Sequence, residues 1–164
     1  HTLNRFQGGG KLYVVPFQDI QVAIRDHCTD SNRVVLYRRM MYRIAHALAE
    51  LKSCQGLVTG ESVGQVASQT LKNLMAVSCV VPMSIFRPLI GMNKQEIITQ
   101  AKKIGTYDIS IEPQPDCCSV FMPDHPSTNC KIKYLEADER LYPWEELKSS
   151  ALDSVETIDL DDLD

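Results

Sequence analysis

Cys117 and Cys118 are adjacent in a run that can be neither a helix nor a regular inner strand. Glu112 to Pro126 contains four prolines. Each fixes φ and removes an N–H donor, so an ordered loop or a sheet edge is expected there. A thiol in such a loop can be presented to solvent or to a substrate. Neighbouring cysteines bridge to each other only with backbone strain, because a disulfide needs more separated Cα atoms. The pair therefore points to reactive sulfur, although two ordinary buried or half-exposed thiols would leave the same trace. His125 and Cys130 add possible zinc donors, but the gaps of six and four residues do not match the usual ligand-pair gap of about two to four. No metal site is assigned.

A second candidate is the run from Thr59 to Thr70, TGESVGQVASQT. It follows a short apolar run and opens a helical period. In an open parallel sheet that junction lies at the carboxyl end of the strands, where ligands bind. Gly60 offers backbone without a Cβ. Free N–H groups at a helix start favour an anion or a polar ligand edge. Ser62, Gln65, Ser68 and Gln69 are able to hydrogen-bond a base or ribose. The glycine spacing is neither a Walker sequence nor the dinucleotide fingerprint, and a plain tight turn would show it too. Arg38 and Arg39 could pair with phosphate or stack on a base; a solvated pair is the competing reading. Lys94 sits in the first turn of a helix, where a cation opposes the helix dipole, which hints at an anionic partner.

The elements that must position these residues alternate between short apolar runs and helical periods. Leu12 to Pro16 reads as a buried strand after the Gly8–Gly10 turn. Asp30 and Ser31 are placed to cap a helix whose apolar face is Leu36, Met40, Ile44 and Leu48. Gly56 to Gly60 reads as a second strand. Ala67, Leu71, Leu74 and Met75 give the next helix its core face. Ile85 to Ile90 is a third strand-like run interrupted by Pro88. Asn93 and Glu96 form a capping-box pattern, followed by the buried stripe Ile97, Ile98, Ala101 and Ile104 and a terminating Gly105. Lys131 to Arg140 is expected to be helical. The alternation predicts an α/β fold, a parallel sheet with crossover helices.

The chain has 164 residues, 44% hydrophobic and 23% charged, as expected for one globular domain. No apolar run reaches membrane-spanning length. Six cysteines, at 28, 54, 79, 117, 118 and 130, are too spread for the framework of a small secreted domain and fit a reducing cytoplasm. The net charge is −4, concentrated in an acidic tail after Ser150. That tail has little to bury and is expected to be mobile. The rest is slightly basic. The abrupt start at His1 suggests a piece of a longer protein.

Five runs taken in order resemble one family. They are Arg38–Ala45 (RRMMYRIA), Gly60–Thr70 (GESVGQVASQT), Arg87–Ile98 (RPLIGMNKQEII), Ile104–Ser110 (IGTYDIS) and Pro115–Cys118 (PDCC). Together they resemble the carboxyl-terminal part of the tRNA 4-thiouridine synthases (tRNA sulfurtransferases, or thiamine biosynthesis proteins ThiI). The resemblance implies a Rossmann-like fold of the PP-loop ATP pyrophosphatase type, incomplete because its amino-terminal strands are missing. It assigns residues 1–150 to the adenylation and sulfurtransferase domain and 151–164 to the acidic tail. The implied reaction adenylates the uridine at position eight of tRNA with ATP, with Mg2+ in the full-length enzyme. A cysteine persulfide, loaded by a cysteine desulfurase, then delivers sulfur, and AMP leaves. Sulfur for the thiamine thiazole is a second implied product.

Matched residue by residue, the resemblance implies nucleotide contacts at Arg38, Gly60 and Gln69, a catalytic lysine at Lys94 and the sulfur-carrying cysteine at Cys118, with Cys117 as its companion. The physical chemistry is consistent with these roles. A lysine near phosphate stabilises developing charge, and a cation near a thiol favours the thiolate. Departures are visible as well. The pyrophosphate loop Ser-Gly-Gly-x-Asp-Ser, the amino-terminal RNA-binding region and a rhodanese-type domain do not occur in these residues, and Asn93 stands where the family commonly has Asp. This chain in isolation is therefore expected not to adenylate RNA; AMP-linked tRNA formed by it would contradict that. The contrasting reading is a non-catalytic nucleotide- or RNA-binding α/β module with structural or metal-binding cysteines. Homodimerisation through a bare sheet edge is a further expectation.

Overall fold

The computed structural model describes residues 2–113 and 121–162. The chain begins with a helical turn, α1 (Asn4–Gln7), and a short strand, β1 (Lys11–Val14). Helix α2 (Gln18–His27) follows, burying Ile20 and Ile24 one turn apart. A 3-10 turn at Asp30–Asn32 leads into the longest helix, α3 (Arg33–Leu51). Its expected apolar face is real: Leu36, Met40 and Ile44 are buried, and Leu48 packs against them from a half-buried position. These residues form the centre of the core, against α2 on one side and α4 (Leu71–Ser78) on the other.

Strand β2 (Gly56–Val58) pairs in parallel with β3 (Ser84–Phe86), in the register Gly56 to Ser84 and Val58 to Phe86. Helix α4 is the crossover between them, entered through a second 3-10 turn at Ala67–Gln69. Its start is set by Thr70, whose hydroxyl accepts from Asn73 N–H at 3.2 Å, an N-cap contact. Helix α5 (Lys94–Lys103) buries none of its residues, so the expected buried stripe is only half-buried at Ile97, Ile98 and Ala101 and exposed at Ile104, but the helix begins with the full capping box. Asn93 Oδ1 accepts from Glu96 N–H at 3.0 Å, and Glu96 Oε2 accepts from Asn93 N–H at 2.7 Å. The turn α6 (Tyr107–Ser110) closes this half.

Three further sequence expectations change in the tertiary structure. First, Leu12–Pro16 is not a buried strand of one parallel sheet. Strand β1 is largely exposed and pairs antiparallel with β4 (Glu156–Asp159), Lys11 opposite Asp159 and Val14 opposite Glu156. The described residues thus hold two small two-stranded sheets. Second, where a mobile acidic tail was expected after Ser150, the chain completes helix α8 (Trp144–Asp153), then β4 and a final 3-10 turn at Leu160–Asp162. The apolar residues among the acids explain it. Ala151 is buried, Leu152 packs on the core, and Leu160 N–H donates to Gly10 O at 2.8 Å. Gly9 sits beside this turn at φ +100°, a backbone conformation that favours glycine. Third, helix α4 does not bury Leu71 and Met75. Both are exposed, and its core face is Asn73, Leu74, Ala76 and Val77.

Helix α7 (Ile132–Glu139) carries a buried carboxylate that ties four helices together. Glu139 accepts from Arg39 Nε at 2.7 Å and Nη2 at 2.9 Å, and from Arg43 Nη1 at 2.7 Å and Nη2 at 3.0 Å. Arg39 also donates to Ala76 O at 2.6 Å, and Arg43 lies 4.3 Å over the Trp144 ring. The reading of Arg39 as a phosphate contact or a solvated partner of Arg38 is thereby replaced by a buried structural role. Burial by itself would raise the Glu139 pKa. The hydrogen bonds and charges of the two arginines outweigh burial and hold it below the ordinary glutamate value. A depressed carboxylate contributes stability that is present above that ordinary value and lost as pH falls through the folded value. Glu139→Ala leaves two guanidiniums buried without a counter-charge and is expected to cost about 3–5 kcal/mol, read as a lowered urea midpoint at pH 7.

Candidate functional site

The strand-to-helix junction after β2 is built around Glu61, which is only 4% exposed. Its Oε2 accepts from Arg87 Nε at 2.6 Å, from the Tyr42 hydroxyl at 2.6 Å and from the Thr59 hydroxyl at 3.1 Å. Its Oε1 pairs with Arg38 Nη2. Arg38 comes from α3, Thr59 from the end of β2, and Arg87 from the end of β3. Arg87 Nη2 also donates to Ser78 Oγ at 3.1 Å, at the end of α4. The parallel pairing of β2 and β3 brings these groups together, since Thr59 N–H donates to Phe86 O at 3.0 Å just beyond the ladder. Burial alone would raise the Glu61 pKa. Hydrogen bonds from Tyr42 and Arg87 and the charges of Arg38 and Arg87 overcome it and hold Glu61 below the ordinary value.

With one guanidinium edge on Glu61, Arg38 turns its other nitrogen to the next turn of the loop. Nη1 donates to Ser68 Oγ at 3.1 Å. A hollow of about 310 Å³ opens beside it, lined by Val34, Arg38, Met41, Val66, Ala67, Ser68, Gln69, Met122 and Pro126. Its volume is at the lower end of small-ligand pockets, and its walls are mostly apolar with one cation and one amide. That composition suits a flat heterocycle held at its polar edge. Gln69 shapes the loop as well, because its Oε1 accepts from Ser62 N–H at 3.2 Å and its backbone carbonyl from Gly64 N–H at 3.0 Å. Gly64 has φ +78°, a conformation in which glycine is unstrained. Above Gly60 nothing lies within 4 Å of where a Cβ would stand, so its backbone is open to a ligand.

The structure brings Arg38 and Gln69 to one hollow and puts Gly60 in the loop that they hold. Ser62 does not face a ligand. It is buried and donates to Met92 O at 2.6 Å, which ties the loop to the start of α5. Ser68 serves Arg38, and Gln65 is exposed. Lys94 is exposed at the first position of α5, two residues beyond that tie, and does not line the hollow. Cys117 and Cys118 lie outside the described residues, and so does their distance from Lys94. Cys28 and Cys130 are buried; burial and the nearby Asp138 and Glu139 push the Cys28 thiol up to about 12, and burial raises that of Cys130. Neither suits a thiolate role. Among the described residues no group of three or more His, Cys, Asp or Glu is arranged to hold a metal ion, and no helix is long and apolar enough to cross a membrane.

Sequence reasoning missed Glu61, Tyr42 and Arg87 as parts of the site. The signal was available at Glu61, the lone charge between Thr59 and Thr70. A single carboxylate in a neutral ligand loop needs a cation to pair with.

This geometry defines an α/β domain with an arginine-clamped strand-to-helix loop over a small, mostly apolar hollow. The profile of the family described as thiamine biosynthesis protein (ThiI) matches residues 1–142, and the chain belongs to that family. It is 47% identical over 141 residues to a probable tRNA sulfurtransferase of Caldanaerobacter subterraneus, covering 85% of this chain and 37% of that one. A probable tRNA sulfurtransferase of Thermus thermophilus is 46% identical over 156 residues, covering 95% and 38%. Among solved structures, a 4-thiouridine synthetase–RNA complex with bound ATP superposes with a TM-score of 0.89 at 37% identity, covering 96% of this chain and 42% of that one. The chain thus spans about two fifths of the length of these relatives.

Glu61→Gln is expected to keep the Tyr42 and Thr59 contacts but leave Arg38 and Arg87 without their counter-charge. A loss of about 3 kcal/mol is expected at pH 7. Because the folded pKa of Glu61 is depressed, the wild-type advantage is full above pH 4.5, the ordinary glutamate value, and disappears as pH falls through the folded value. Urea titrations of both proteins from pH 7 to pH 3 should therefore converge at the acid end.

Proposed function

We propose that this chain is the carboxyl-terminal part of the catalytic unit of a tRNA sulfurtransferase, which activates the uridine at position eight of tRNA with ATP and replaces its oxygen with sulfur. One observation supports the reading above others: Arg38 and Gln69 line a single hollow of about 310 Å³, and the open backbone of Gly60 lies in the loop that they hold, in a chain of this family. The hollow's apolar walls would flank an adenine base. Gln69 spends its amide oxygen on the Ser62 N–H, so its amide nitrogen is the group left to read the base edge. Arg38 is held by Glu61 and Ser68, which presents its guanidinium in a fixed orientation and lowers the entropy lost on binding.

In this reaction ATP is a substrate. The uracil oxygen attacks the α-phosphorus, pyrophosphate leaves, and the oxygen becomes a good leaving group. Lys94 would oppose the negative charge developing on phosphate, from a helix start where a cation gains nothing from the helix dipole. Cys118, loaded as a persulfide by a cysteine desulfurase, would place its terminal sulfur on the activated carbon while AMP departs. A second thiol would then attack Cys118 Sγ, forming a disulfide with it and releasing the sulfur on the uridine. Mg2+ would accompany the triphosphate, bound outside the residues described above. Delivery of sulfur to the thiamine thiazole, residence in the cytoplasm and self-association of the intact protein belong to the same proposal.

The test is Cys118→Ser in the intact protein, with 4-thiouridine in tRNA scored by mass spectrometry and ATP-dependent pyrophosphate release followed in parallel. Thiouridine should fall to the level of protein-free controls while pyrophosphate release continues. Undiminished thiouridine would remove Cys118 from the reaction.

A further inference from the structure

We propose that Asn73 is a positioning residue that sets the width of the nucleotide hollow by clamping its two loop walls together, an inference that rests on the function proposed above. Beside the α3 residues Val34, Arg38 and Met41, the hollow has two loop walls, one of which belongs to the second 3-10 turn, with Ala67, Ser68 and Gln69. The other belongs to the chain that returns after the cysteine pair, with Met122 and Pro126. The two walls are far apart in sequence and share no strand pairing.

Asn73 is fully buried, at 0% exposure. Its Nδ2 donates to Ala67 O at 2.9 Å and to Ser127 O at 2.8 Å. Its Oδ1 accepts from Cys130 N–H at 2.9 Å. Ala67 is itself a wall residue, and Ser127 directly follows the wall residue Pro126. Two carbonyls demand the amide's nitrogen and one N–H demands its oxygen, so the orientation of the amide is determined by its partners. Thr70 adds a second tie, donating from Oγ1 to Thr128 O at 2.7 Å. Ser127 N–H is anchored to Ser31 O at 2.9 Å, so the returning chain is gripped from both sides.

A buried amide is stable only when its polar atoms are satisfied, and the core face of α4 could carry an apolar residue at this position instead. An aliphatic side chain would fill the same space between Leu74 and Val77. It would leave the Ala67 and Ser127 carbonyls and the Cys130 N–H without their Asn73 partners, and of the two ties from α4 only that of Thr70 to Thr128 would remain. The amide therefore buys geometry rather than bulk stability. A ligand gripped between the walls then depends on Asn73 without touching it.

Asn73→Asp keeps the shape and the contact from Cys130 but sets a carboxylate against two carbonyls, which drives the walls apart. In the intact protein, the KM for ATP in tRNA thiolation is expected to rise about tenfold, the size of one lost buried hydrogen bond, with kcat at saturating ATP held within about twofold of wild type. A purely structural role would do the opposite, lowering kcat through a smaller folded fraction at unchanged KM. Thr70→Val, which touches only the second tie and the cap of α4, should raise KM about threefold, and Thr70→Ser should restore it. If Asn73→Asp does not fold, the two Thr70 variants decide the matter. Folded variants with wild-type KM would overturn the inference. A wild-type protein without ATP-dependent thiolation would instead overturn the function on which it rests.

Discussion

The Glu61 carboxylate is the constraint around which the functional end of this chain is organised. Two guanidiniums, from Arg38 and Arg87, converge on one buried point. Without an anion between them their mutual repulsion and desolvation would forbid it. With Glu61 present, α3, the end of β2 and the end of β3 are drawn to one place. The burial cost is met because both carboxylate oxygens have partners: a guanidinium on Oε1, and a guanidinium, a phenol and a hydroxyl on Oε2. The Arg38 that flanks the hollow is thus a by-product of a structural ion cluster and keeps a fixed pose.

The same helix serves a second cluster. Arg38 and Arg39 are neighbours, so the helical twist of about 100° per residue sends them in different directions. Arg38 reaches Glu61 and Ser68 in the loop after β2. Arg39, with Arg43 one turn on, reaches Glu139 on α7. One exposes a guanidinium at a hollow and the other is sealed in the interior. Two arginines that look alike in the sequence therefore have unlike work, and the difference lies in which carboxylate each one meets.

Much of the local structure was legible because its causes are local. The capping box at Asn93 and Glu96 needs only residues three apart, and it is present. The face Leu36, Met40, Ile44 and Leu48 follows from helical period alone. The parallel pair β2 and β3 was readable from two apolar runs with a helix between. The failures share a different cause. Strand β1 was read as buried because apolar runs of that length usually are, but its partner proved to be β4, a distant acidic segment. The α4 face was assigned by hydrophobicity, while the buried position went to Asn73, whose value depends on Ser127 and Cys130 across the fold. Family resemblance points to Gln69 and Arg38, which line one hollow, but it does not show that Glu61 holds Arg38 and that Ser62 engages Gln69.

From the linear order of residues alone come most of the helices, the capping box at Asn93 and Glu96, the sulfur-bearing proline-rich run, the glycine-flanked loop after β2 and the family to which the chain belongs. Each depends on side-chain type at short spacing, where periodicity, capping and steric restriction act. The meeting of Glu61 with Arg38 and Arg87, the sealing of Arg39 against Glu139, the ordering of the acidic end on β1 and the clamp at Asn73 were decided only by tertiary structure. Each joins segments distant in sequence through buried polar contacts, and the partner of a buried charge or amide is chosen by three-dimensional proximity, which no local pattern encodes.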